Sequence, residues 1–123
     1  YFFLFYDATN NIKKLLFQML IIKMFIAMNR FKIVLGKEEN FEKVWRERDT
    51  HLKGVPGFKN FNLIKGNKFE DHTLYASHSI WESKDHFLDW TKSDAFRLAH
   101  KNAGQHKDLY MGAPNFEGFE VVI

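Results

Sequence analysis

Met24–Gly36, MFIAMNRFKIVLG, decides the fold. Phe25, Ala27, Asn29, Phe31 and Ile33 fall on one face of an extended chain. Ile26, Met28, Arg30, Lys32 and Val34 fall on the other, the period of two that marks a strand with one strongly apolar face. Gly36 ends it. Downstream, Phe41, Val44, Trp45, Arg48 and Leu52 recur at helical spacing, which predicts a helix from near Lys37 to Leu52. The glycines and proline of KGVPG (53–57) then turn the chain. Phe58–Lys65 and His72–Trp81 read as two strands joined by the polar loop GNKFED. Ser83 is placed to cap a short helix carrying Phe87, Leu88 and Trp90. Ser93 and Asp94 start another helix that runs to about Ala103, with a kink between Trp90 and Ser93. Phe116–Ile123 alternates again as a last strand.

The order β-α-β-β-α-β predicts an α+β, ferredoxin-like domain: a four-stranded antiparallel sheet with both helices on one face. The opposite face is left bare. Ile26, Met28 and Val34 on that face predict a second copy as its cover, hence a homodimer closed through its sheets.

Composition narrows the function classes. With 123 residues, 46% hydrophobic and 27% charged, the chain is sized for one globular domain. The net charge of +3 is dispersed, acids beside bases, so nucleic acid is not expected as a partner. The absence of cysteine removes disulfides, thiolate metal sites and cysteine nucleophiles, and it fits the cytoplasm. Aromatic residues reach 17%, with 14 phenylalanines, enough for a Phe-rich core and for the walls of a pocket that takes a flat ligand.

Residues 1–23, YFFLFYDATNNIKKLLFQMLIIK, differ from the rest in composition. They lack an initial Met and are built mostly from residues with A/T-rich codons, the look of translated upstream sequence. The expectation is a leader that frays or packs loosely, followed by the domain proper over residues 24–123, with the start at Met24, or at Met19 or Met28. DATNN and KK interrupt the apolar run, so it falls short of the roughly 20 apolar residues of a membrane span. No membrane partner is expected, and the order of charges is not that of a signal peptide.

Three residues stand apart from this frame. Asn29 is a lone carboxamide in an apolar row, so it is either hydrogen-bonded locally or faces a polar ligand atom. Phe96 and His100 lie four apart on one helix face with Ala99 and Ala103 beside them, which leaves room next to the imidazole. Trp90 sits at the kink. A lone helical histidine is more often a packed side chain than a ligand, and a tryptophan more often core than function. It is the convergence of the three on the layer between helices and sheet that suggests a site. A neutral imidazole there could bind iron, and no HExxH or paired-histidine motif competes. His51, His72, His78, His86 and His106 are scattered. His106, just past the helix, is the rival ligand. No nucleophile elbow and no phosphate loop occurs.

From Met24 to Ile123 the chain resembles the antibiotic biosynthesis monooxygenase superfamily of dimeric α+β barrels, and within it the IsdG-type heme-degrading monooxygenases. The resemblance rests on MNRF, GVPGF, SIWESKDHFLDWTKSDAFRLAHK and FEGFEVVI. It implies a site of Asn29, Trp90 and His100, with Phe96 beside the ligand. His100 would be the axial ligand of heme iron, Trp90 would press the porphyrin out of plane, and Asn29 would hydrogen-bond on the oxygen side. Heme would be both substrate and cofactor, with O₂ and an external electron donor, a reductase or small reductant, completing the reaction. The segment from Asn102 to Pro114 departs from that pattern. The resemblance also admits a cofactor-independent monooxygenase acting on an aromatic or quinol substrate, or a heme-binding protein without turnover.

Overall fold

The structure, a computed structural model, describes residues 2–21 and 23–123. In chain order they form α1 (Phe2–Ile21), β1 (Phe25–Val34), α2 (Glu38–Glu47), β2 (Phe58–Lys68), β3 (His72–Trp81), α3 (Lys84–Thr91), α4 (Asp94–His100), a 3₁₀ turn (Lys107–Leu109) and β4 (Asn115–Glu120). Residues 2–21, expected to fray or pack loosely, are helical, and Ile12, Leu15, Leu16, Phe17 and Met19 stay largely exposed. Residues 1 and 22 lie outside the described residues. Among the described residues no helix is long and apolar enough to cross a membrane.

The strands form one antiparallel sheet in the order β2-β3-β1-β4, the ferredoxin-like arrangement the alternation predicted. Phe25, Ala27, Phe31 and Ile33 of β1 are buried on the helix side. Across from them, β3 contributes Trp81, Ser79, Tyr75 and Thr73 in the same register. The core divides into two clusters. Phe25, Ala27, Leu52, Trp81 and Phe87 form one beneath α3, and Phe31, Ile33, Phe41, Tyr75 and Leu109 form the other beneath α2. Two side-chain bonds anchor α2 to β3: the Thr73 hydroxyl donates to Glu38 Oε1 at 2.8 Å and the Tyr75 hydroxyl to Glu42 Oε2 at 2.7 Å.

Several element ends differ from the sequence reading. Helix α2 stops at Glu47 instead of Leu52, because Arg48 turns extended and the Asp49 carboxylate accepts the backbone N–H of His51 at 2.9 Å, a local bond that competes with the helical ladder. Leu52 still reaches the core, but from a loop. Helix α4 ends at His100, short of Ala103, and β4 ends at Glu120, although Val121 N–H still donates to Met24 O at 3.0 Å. β2 runs three residues further, to Lys68, through an irregularity after Lys65. Both predicted caps form: Ser83 Oγ accepts from His86 N–H and Ser93 Oγ from Phe96 N–H, each at 3.2 Å.

Close packing of β4 on β1 depends on Gly118, which pairs with Ala27. A Cβ there would lie 2.5 Å from Cζ of Phe25, a ring already stacked on Phe87 with centroids 5.3 Å apart. Gly118→Ala should therefore destabilise the domain by about 1–3 kcal/mol. Urea unfolding would show this as a lower midpoint at unchanged slope.

Candidate functional site

The middle of the sheet carries smaller side chains than its ends. Read across the strands, one row is Leu63, Ser77, Asn29, Phe116 and the next is Phe61, Ser79, Ala27, Gly118. The flanking rows hold the pairs Phe25–Trp81 and Phe31–Tyr75. Bulky residues at both ends lift the helices off the sheet while small ones leave the centre unfilled. The result is a cavity of about 990 Å³ between the two core clusters, at the upper end of the range for small-molecule sites. Asn29, Trp90, Phe96 and His100 all line it. The four candidates that the sequence singled out are thus brought together. His100 is the sole histidine among the lining residues; His106 is exposed on its loop and does not line the cavity.

Helix α4 holds the imidazole by two contacts. Its ring stacks on Phe96 with centroids 4.0 Å apart and planes 26° apart. Nδ1 lies 2.8 Å from the Phe96 carbonyl oxygen. A carbonyl can only accept, so Nδ1 carries the proton of the neutral ring and Nε2 keeps its lone pair. This tautomer, with the second nitrogen tied to a carbonyl, is the usual one in metal-ligating histidines. Burial lowers the His100 pKa from its ordinary value, and the nearby Arg48 charge lowers it further, against the raising effect of the Phe96 carbonyl. The half-buried ring is therefore neutral at neutral pH.

The kink between α3 and α4 orients Trp90 separately. Ser93 Oγ donates to the Trp90 carbonyl at 2.6 Å while capping α4, so one hydroxyl ends one helix and starts the next. The indole packs among Trp81 (centroids 5.1 Å apart), Phe96 (4.9 Å, near perpendicular) and His100 (6.1 Å). Its Nε1 is buried with no hydrogen-bond partner among the described residues. Asn29, half-buried in the floor, likewise makes no side-chain hydrogen bond among the described residues. Unpaired polar groups in an aromatic cavity call for a ligand with a broad apolar face and polar atoms. An iron tetrapyrrole fits these residues: aromatic walls, one bare imidazole nitrogen, and donors left unused.

Sequence reasoning missed Arg48. Its Nε and Nη2 both donate to the Ala99 carbonyl, at 3.2 and 2.6 Å, and its guanidinium lies 4.6 Å from the centre of the Trp45 ring. The signal was present, a cation within an apolar helical stripe, but it reads equally as a helix flank. Arg48 ties the end of α2 to the residue before His100 and lines the cavity, where burial lowers its pKa. Trp45 and Phe61, stacked at 5.7 Å, were also missed as cavity walls.

Residues 24–102 match the antibiotic biosynthesis monooxygenase family. A staphylobilin-producing heme oxygenase of Staphylococcus epidermidis is 34% identical over 87 residues, which cover 69% of this chain and 81% of that protein. The heme degrader MhuD of Mycobacterium tuberculosis, solved with two hemes bound in its active site, is 24% identical, with a TM-score of 0.61 over 80% of this chain and 96% of that one. SnoaB, a cofactor-independent oxygenase from Streptomyces nogalater, shares the fold at 23% identity and a TM-score of 0.55, over 79% of this chain and 91% of that one.

The electrostatics of the site can be checked without a ligand. Replacing Arg48 by Met removes a neighbouring positive charge, so the His100 titration should move to higher pH than in the wild type. Imidazole resonances followed by NMR across pH 4 to 8 would show it; a shift in the opposite direction would mean that Arg48 does not act on His100 through its charge.

Proposed function

Because the chain belongs to the antibiotic biosynthesis monooxygenase family, we propose that it takes heme as its substrate, opens the porphyrin ring with O₂ and electrons from an external reductant, and releases the iron. The observation that carries the proposal is the His100 imidazole: neutral, fixed by Phe96, with Nε2 bare in a cavity large enough for a flat macrocycle.

Each residue then has a task. His100 Nε2, its lone pair free because Nδ1 is tied to the Phe96 carbonyl, would hold the iron. Trp90, on α3, would bear on the ring plane from a second direction, which the kink at Ser93 permits and one straight helix would not, while Phe96 backs the imidazole on α4. The Asn29 carboxamide offers a hydrogen bond from the sheet side. The aromatic walls exclude water and so strengthen every polar contact inside. The iron supplies the redox chemistry that O₂ requires. The relative from Staphylococcus epidermidis supports heme as the substrate, since it is a heme oxygenase by name.

The protein we propose is a homodimer joined through the open sheet face. On that face Ile64 and Phe119 are 41% and 42% exposed, beside the half-buried Ile26, Met28 and Val34. Sedimentation equilibrium should find a dimer, and Phe119→Glu should shift it toward monomer.

Ferric heme titrated into the protein should give a saturable Soret shift, and ascorbate in air with catalase present should then bleach the band and release iron. His100→Ala should abolish the ligation spectrum. Trp90→Phe should bind with little change but open the ring roughly tenfold more slowly, in keeping with the scale of conformational strain in enzyme sites. A stable complex that never bleaches would indicate a heme carrier. Turnover of a quinol without iron would indicate the cofactor-free chemistry instead.

Heme affinity should also depend on pH in a defined direction. A proton on Nε2 competes with iron, and the His100 pKa lies below that of a free imidazole. Affinity should therefore hold down to about pH 6.5, the ordinary histidine value, and fall only in more acid solution. A fall already complete above that pH would contradict the buried, neutral ring.

A further inference from the structure

The inward face of β3 presents five polar or partly polar side chains, Thr73, Tyr75, Ser77, Ser79 and Trp81. Four are committed to partners within the fold. Thr73 and Tyr75 donate to Glu38 and Glu42. Trp81 Nε1 donates to Ser79 Oγ at 2.9 Å, and Ser79 Oγ in turn lies 3.4 Å from the Ala27 carbonyl it donates to. Ser77 alone makes no side-chain hydrogen bond among the described residues. It is half-buried, lines the cavity, and is the direct cross-strand partner of Asn29, whose carboxamide is equally uncommitted.

Two unbonded polar side chains thus sit side by side in a row whose outer members, Leu63 and Phe116, are apolar. Directly opposed side chains in an antiparallel pair have Cβ atoms about 4.5–5.5 Å apart, close enough to address one small acceptor together. A packing role for position 77 would be filled by Val, which matches the β propensity and leaves no hydroxyl to satisfy. A serine there has use when something in the cavity accepts its hydrogen bond.

From this pairing we infer that Ser77 is a second hydrogen-bond donor beside Asn29, and that the two form the polar floor recognising a small acceptor held between the bound ring and the sheet. The inference rests on the heme reading and adds a residue to it. Ser77 acts on the ring face opposite His100, so it governs ligands on the open side of the iron and leaves ring binding unaffected.

The ferric heme complex allows a test separate from turnover. Fluoride binds ferric iron and accepts hydrogen bonds strongly, so its affinity reads donors on the open side. Ser77→Ala should keep the heme dissociation constant within about twofold while weakening fluoride by about tenfold, the factor expected for one hydrogen bond to a charged acceptor. Ser77→Thr, which restores the hydroxyl, should recover most of that loss. Unchanged fluoride affinity in Ser77→Ala would overturn the inference, leaving His100 ligation and the heme reading standing. Equal loss of heme and fluoride binding would also overturn it, since Ser77 would then only shape the cavity. If the wild type forms no saturable heme complex, the heme reading fails and this inference with it.

Discussion

The pairing of β1 with β3 is the constraint on which the rest of this molecule depends. Its register sets Phe25 against Trp81 at one end of the sheet and Phe31 against Tyr75 toward the other, with Ala27–Ser79 and Asn29–Ser77 between them. Because side chains alternate faces with a period of two, a slip of β1 by one residue would send Phe25 and Phe31 to the open side and put Arg30 and Lys32 beneath the helices. The register therefore fixes the core, and the cavity follows as the part of the core that the sequence leaves unfilled. Interiors are otherwise packed to crystal-like density, so a void of this size between two aromatic clusters is a built feature.

A cavity alone would not orient an imidazole. Helix α4 is short, seven residues, and could not hold a defined position through its own backbone bonds. It is secured instead at both ends: Ser93 caps it and ties it to α3, while Arg48 grips the Ala99 carbonyl near its C-terminus. A carbonyl there lacks an intrahelical donor, so the guanidinium satisfies a group the helix itself leaves open. The same guanidinium adds to the burial that keeps His100 neutral. One side chain thus serves both the position and the protonation state of the ring.

How much of this the sequence disclosed depends on the range of the interactions. The strand alternation in Met24–Leu35 and the serine caps at 83 and 93 are local signals, and they located the sheet, the kink and the face on which Asn29 lies. Asn29, Trp90 and His100 were legible because each breaks its own local pattern. Arg48 was not, since its meaning comes from a partner 51 residues away and from a helix that ends sooner than its apolar spacing suggests. Ser77 was hidden for a related reason: serine in a half-buried strand is unremarkable until its neighbours prove to be bonded and it does not. The helix Phe2–Ile21 lay beyond compositional argument, because codon bias says nothing of backbone conformation.

The unpaired groups share an energetic logic. A buried donor without a partner costs about 1–3 kcal/mol, and Trp90 Nε1 is one such group, with the half-buried Asn29 and Ser77 paying less because water reaches them. Against a net stability of roughly 5–15 kcal/mol for a domain of this kind, that is a substantial concession by the ligand-free state. Their positions are nevertheless fixed by elements that would fold the same way with apolar residues: β1 and β3 by their register, Trp90 by the packing of its ring on Trp81 and Phe96. The site is therefore preorganised, the half-buried Asn29 and Ser77 already held where a ligand would meet them. Binding then needs little rearrangement of the chain, and a ligand that satisfies these atoms returns to the folded state the stability that the empty cavity withholds.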